Sequence, residues 1–151
     1  MGLLSIIQWF NGTEYTSELP TRILAKFTST EIVDPRFVVG FDASKKYKLV
    51  SFCGKCYVKA IMNITGYSLR HDLDPHDLKI ICQKLEELLD NTEDRDKLDQ
   101  AFYIYETGEC EVPDWIEKMT QAGHVPSPRE IAGLLQIFRI CHENNLQVHA
   151  S

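Results

Sequence analysis

Cys53-Gly54-Lys55-Cys56 is the stretch of this chain whose residue types and spacing are best suited to chemistry. Two thiols set three residues apart across a tight turn can point at one soft metal ion, or at each other as a redox pair. A four-coordinate structural zinc needs two more ligands, and His71, His76 and Cys82 compete for those places. Taking Cys53, Cys56, His76 and Cys82 gives the spacing C-x2-C-x19-H-x5-C. Taking Cys53, Cys56, His71 and His76 gives C-x2-C-x14-H-x4-H, close to a two-Cys, two-His finger. Spacing alone leaves both open. Two rivals stand beside zinc: buried inert thiols, since Cys82 falls on an apolar helix face, and a redox pair. A thioredoxin-like pair requires the C-x-x-C to open a helix, whereas Tyr57-Val58-Lys59-Ala60-Ile61 reads as a strand.

Cys110, His124, Cys141 and His142 are spaced too irregularly to be favoured as a second metal site. Cys110 follows Gly108 in a turn, which would leave its thiol open to oxidation. Motifs of catalysis are missing: there is no phosphate loop, no H-E-x-x-H, no G-x-S-x-G and no zinc-deaminase pattern. The sequence therefore reads as non-enzymatic.

The elements around the thiols follow from periodicity. Ile23 to Phe27, Phe37 to Phe41, Tyr47 to Phe52 and Tyr57 to Ile64 are short, β-branched and aromatic, with turn residues between them, and read as strands. Asp74-Pro75-His76-Asp77 reads as a helix start, after which Leu78, Ile81, Cys82, Leu85, Leu88 and Leu89 share one face. A second helix is expected from Thr92 to about Tyr105, and a short third from Pro113 to Ala122, closed by Gly123. Ser127-Pro128-Arg129-Glu130 is a capping box opening a last helix with Ile131, Leu134, Leu135 and Phe138 inward. The expected class is α+β, with a small strand-rich N-terminal half carrying a zinc knuckle and a helical C-terminal half. The expected division is a zinc-binding strand and helix subdomain over residues 1–91 and a helical subdomain, 92–151, packed on it.

Composition sets the outer bounds. At 151 residues, 44% hydrophobic and 25% charged, the chain is the size and make-up of one folded domain. The apolar stretch Gly2 to Phe10 is broken by Ser5 and Gln8, so no membrane span is expected. Its flanks do not fit a secretory signal, and Ile6 does not fit a myristoylation signal. Without a secretory signal, five cysteines favour metal over disulfides.

Charge is uneven within the net −6. Residues 43–71 carry Lys45, Lys46, Lys48, Lys55, Lys59 and Arg70 with no acid, while residues 72–117 carry fifteen acids against four bases. The lysines, with Tyr47 and Tyr57 as stacking rings, form a candidate surface for nucleic acid or a partner. The plainer alternative is a solvated, soluble face.

Several segments, in order, resemble the first-reading-frame protein of sobemoviruses. They are Val33-Asp34-Pro35 with Phe41 and Lys45, Val50-Ser51-Phe52 entering Cys53-x-x-Cys56, and His76-Asp77 with Ile80-Ile81 entering Cys82. Gly108-Glu109-Cys110-Glu111-Val112-Pro113 completes the series. The resemblance spans roughly residues 31 to 115 and rests on order and spacing rather than on any one motif. It implies a suppressor of host RNA silencing that also supports virus movement in plants, built on zinc and sensitive to redox state. It implies a host silencing-pathway protein as partner, with RNA possible, and a place in the host cytoplasm or nucleus. It favours Cys53, Cys56, His76 and Cys82 as zinc ligands. A rice virus member has a second C-x-x-C where this chain has Cys82-Gln83-Lys84-Leu85, and histidines and a later cysteine that are missing here. One zinc per chain, rather than two, is therefore expected.

Overall fold

Burial alternates along Ser5–Phe10, and this stretch forms β1, the central strand of the sheet. The computed structural model describes residues 4–32, 35–90 and 126–151. A two-residue strand, β2 (Tyr15–Thr16), turns back on the end of β1, and a helix, α1 (Thr21–Thr28), follows. β3 (Val38–Asp42) and β4 (Tyr47–Phe52) form a hairpin with Val38 opposite Ser51 and Asp42 opposite Tyr47. A 3-10 turn, Gly54–Cys56, leads into α2 (Val58–Thr65). α3 (Pro75–Asp90), α4 (Pro128–Glu143) and a last strand, β5 (Leu146–Ala150), complete the described chain.

All strand pairs among the described residues are antiparallel. β5 runs along β1 from Ser5↔Ala150 to Trp9↔Leu146, while β4 (Ser5↔Phe52) and β2 (Trp9↔Thr16) also pair with β1. The sheet order is thus β2-β1-β4-β3, with β5 also on β1. The class is α+β: an antiparallel sheet with short helices, and a packed pair of longer helices, α3 and α4.

Two expected strands are helices. In Ile23 to Phe27 only Ile23 and Phe27 are buried, a step of four that suits one helical face, and Pro20 accepts the first amide bonds from Ile23 and Leu24. Tyr57 to Ile64 lies in the helix Val58–Thr65, where Val58, Ile61 and Thr65 step by three and four along a buried face that also includes Ala60, and Gly66, at φ 81°, closes the helix. β-branched residues lower helix propensity only slightly, and burial of the stripe outweighs that preference. Conversely, two strands stand where the sequence reading places none: Ser5–Phe10, and Leu146–Ala150 beyond the last expected helix.

The remaining elements match expectation where they are described. Asp74 Oδ1 accepts the Asp77 amide at 2.8 Å and opens α3, whose Leu78, Ile81, Cys82, Leu85 and Leu89 are buried. The Ser127–Glu130 capping box is formed in both directions at α4. One core joins the layers, from Ile7 on β1 to Leu85 on α3 and Val148 on β5, with Phe138 edge-on to Phe52 at 5.8 Å. Each fully buried Leu or Ile contributes roughly 1.5–3 kcal/mol. The expected helices at 92–105 and 113–122, and the division at residue 91, lie outside the described residues.

A candidate dithiol site at the start of a helix

β4 delivers Cys53, and the 3-10 turn brings Cys56 back beneath it. The Cys56 amide donates to the Cys53 carbonyl at 3.3 Å, and the Tyr57 amide to the Gly54 carbonyl at 2.9 Å. Gly54 is required here by close approach rather than by its dihedral angles. A Cβ at that position would stand 2.1 Å from Ser5 Oγ on the neighbouring strand. Ser5 Oγ is buried and has no hydrogen-bond partner among the described residues.

The two thiols lie 2.8 Å apart, Sγ to Sγ, and both are half-buried free cysteines. Arg36, held in the left-handed region at φ 57°, reaches Cys56 Sγ with Nη1 at 3.6 Å. Glu130 at the start of α4 stands near Cys56 and accepts a hydrogen bond from the Tyr57 hydroxyl at 2.5 Å. The centre therefore gathers groups from the loop before β3, the 3-10 turn, and the first turn of α4.

These neighbours make the two thiols unequal. Burial pushes the Cys53 thiol up, but bonds from the Cys56 thiol and amide and the charge of Arg36 together hold it below the ordinary value. Cys56 goes the other way: burial raises it, bonding to Cys53 adds to that, and Arg36 only partly opposes. Cys53 is thus the thiol that ionises first, and Cys56 the one that keeps its proton. A disulfide bond is about 2.05 Å long, so closure needs movement of under about 1 Å.

The residues expected to complete a zinc site stand elsewhere. His76 is exposed in the first turn of α3. Cys82 is buried on the α3 face that meets α4, where burial pushes its thiol up to about 12, with Arg139, Glu86 and Glu143 around it. Cys141 on α4 is its neighbour and is itself fully buried. The helical period that puts Cys82 in line with Leu78, Ile81 and Leu85 commits its side chain to the core. His71 is exposed in the turn before α3. Among the described residues, no three His, Cys, Asp or Glu side chains are grouped to hold a metal. Two thiolates on one tetrahedral zinc stand roughly 3.8 Å apart at a Zn–S distance of about 2.3 Å. The described residues therefore make a two-thiol half-site and do not fit the four-ligand set Cys53, Cys56, His76 and Cys82. Cys110 and His124 lie outside the described residues, and His142 follows the buried Cys141 on α4.

The basic surface is only partly as expected. Lys45, Lys46, Lys48, Lys55 and Lys59 are all exposed. Tyr57 is 1% exposed and cannot stack on a base, and the Tyr47 hydroxyl is tied to Ser17 Oγ at 2.7 Å. The exposed ring of this face is instead Phe41, 67% exposed and opposite Lys48 across the hairpin. Alternation along β3 was the signal for it: Phe41 follows Val39 by two but lies past the end of the core.

No protein-family model, no curated protein and no solved structure matches this chain. Among the described residues, no helix is long and apolar enough to cross a membrane.

Proposed function

We propose that this chain is a non-enzymatic viral suppressor of host RNA silencing that also supports virus movement, working through contact with a host protein. The supporting observation is that the part of the resemblance from Phe41 to Cys56 folds in one run: β3, basic turn, β4, paired thiols. In this reading the thiols are the chemical centre and the basic hairpin is contact surface. Transient expression in leaves beside a silenced reporter tests it. Reporter recovery is expected with the wild-type chain. No recovery with folded, accumulating protein would sink the proposal.

The same reading carries one zinc ion on Cys53 and Cys56, with its other ligands drawn from outside the described half-site. Zinc would supply a structural cross-link at the β4–α2 junction. Native mass spectrometry under reducing conditions decides it. One zinc per chain, lost in Cys53→Ser, is expected; a metal-free wild-type protein would overturn it.

A second reading is favoured by the thiol pair opening a helix with unequal thiols. In it, Cys53 and Cys56 are a redox-responsive pair. Two thiols surrender two electrons and two protons to hydrogen peroxide, giving a disulfide and two waters. A disulfide between these two cysteines after mild peroxide, reversed by dithiol reductant, is the expected result. Oxidation confined to other cysteines would exclude it.

A further inference from the structure

Among the described residues, β3 leaves one side of the sheet open. Its inner edge pairs with β4, and among the described residues no strand pairs with its outer edge. The other edges are treated differently. Leu73 bridges to Val148 outside β5 through two 2.9 Å backbone bonds, and β2 is only two residues long. Natural edge strands are usually blunted by proline, charge or a bulge. Val38-Val39-Gly40-Phe41 carries none of these, the one charge of β3 being Asp42 at its end, and the register with β4 runs unbroken for five pairs.

The side chains along this edge are apolar and exposed on both faces. Val38 is 54% exposed on one face and Phe41 67% on the other, while Val39 packs against the core and anchors the strand. Positive charge surrounds them. Lys45, Lys46 and Lys48 stand on the hairpin, and residues 43–71 hold no acid to offset them. The acid next to them, Asp42, is engaged internally: its Oδ1 accepts the Ser44 amide at 2.9 Å and the Ser44 hydroxyl at 2.6 Å.

We infer that the outer edge of β3 is a docking site for an extended acidic peptide segment of a partner protein, added as a further strand. The inference rests on the protein-contact reading above and names its surface. Backbone pairing would supply the register, Val38 and Phe41 would meet apolar residues of the incoming segment, and the lysines would select for acid. A nucleic acid fits this edge less well. Single-stranded binding needs successive exposed rings, and Phe41 stands without a second one while Tyr47 and Tyr57 are engaged or buried. An outward row of peptide N–H and C=O groups matches another backbone, not bases.

The test uses the full chain and a synthetic peptide of alternating Glu and Val, with a Lys-for-Glu version and a version N-methylated at alternate residues. Backbone amide shifts are followed by NMR. The expected result is saturable binding of the acidic peptide with shifts centred on 38–42. The N-methylated and Lys versions should not bind. Phe41→Ser should remove binding by deleting the apolar contact, and Lys46→Glu with Lys48→Glu should weaken it about tenfold, both with unchanged melting temperature. Absent shifts at 38–42, steeply salt-dependent RNA binding that moves the same amides, or self-association through β3 would each overturn the inference. The leaf reporter assay, run on the same Phe41→Ser variant and the wild type, judges the suppressor reading separately. A suppressor that never binds the peptide loses only this surface.

Discussion

The hydroxyl of Tyr57, the residue that follows the thiol pair, donates a 2.5 Å hydrogen bond to Glu130 Oε2, seventy-three residues further along the chain. Glu130 uses its other oxygen to accept the Ser127 amide and complete the cap of α4. One carboxylate thus joins the dithiol turn to the helix that closes the core.

Tyr57→Phe removes that donor while keeping the buried ring. Leaving a partly buried carboxylate short of a partner costs about 1–3 kcal/mol. Urea unfolding should show a lower midpoint with an unchanged slope. A variant as stable as wild type would mean the bond contributes nothing net.

Gly54 and Ser5 should couple strongly. Gly54→Ala puts a methyl 2.1 Å from Ser5 Oγ and should cost more than about 2 kcal/mol. Ser5→Ala removes a buried hydroxyl that has no partner among the described residues and should be neutral or stabilising. The double variant should recover much of the loss, because the next contact is Ser5 Cβ at 3.3 Å. Additive effects in a double-mutant cycle would show that the strand and the turn relax independently.

Thiol labelling should be ordered. Cys53 should alkylate before Cys56, and Cys82 and Cys141 should resist until the chain unfolds. Peptide mass mapping over time reads the order. Arg36→Gln should slow Cys53 labelling near neutral pH, since the guanidinium charge is one of the groups holding that thiol low. Equal rates at Cys53 and Cys82 would contradict the burial of Cys82.

Alkali should destabilise the fold through the two buried thiols. Cys82 titrates near 9.0 when unfolded but at about 12 when folded, and burial raises Cys141 in the same sense. As pH rises past the unfolded value, the unfolded chain releases protons first, so it holds fewer than the native state and stability falls. The slope is at most about 1.4 kcal/mol per pH unit for each thiol. Melting temperature followed from about pH 8 to pH 10.5 should decline, and Cys82→Ala or Cys141→Ala should flatten the decline. Identical slopes in all three proteins would assign the effect to other groups.

Where a signal was local, the amino-acid sequence alone determined the structure. The caps at Asp74 and Ser127 work through side chains three residues from the amides they bind, and the α3 stripe repeats over 16 residues. The β3–β4 hairpin and the pairing of Cys53 with Cys56 are equally short-range. Tertiary structure decided the rest. Ile23–Phe27 and Val58–Thr65 are helices because a buried stripe outweighs β-branched preference, and which face is buried depends on distant partners. β5 finds β1 across about 140 residues, a pairing that no local pattern encodes. Cys82 had suitable chemistry and spacing for a ligand, yet its helix turns it into the α3–α4 core, away from Cys53. Spacing along a chain constrains which groups can meet; packing determines which of them do.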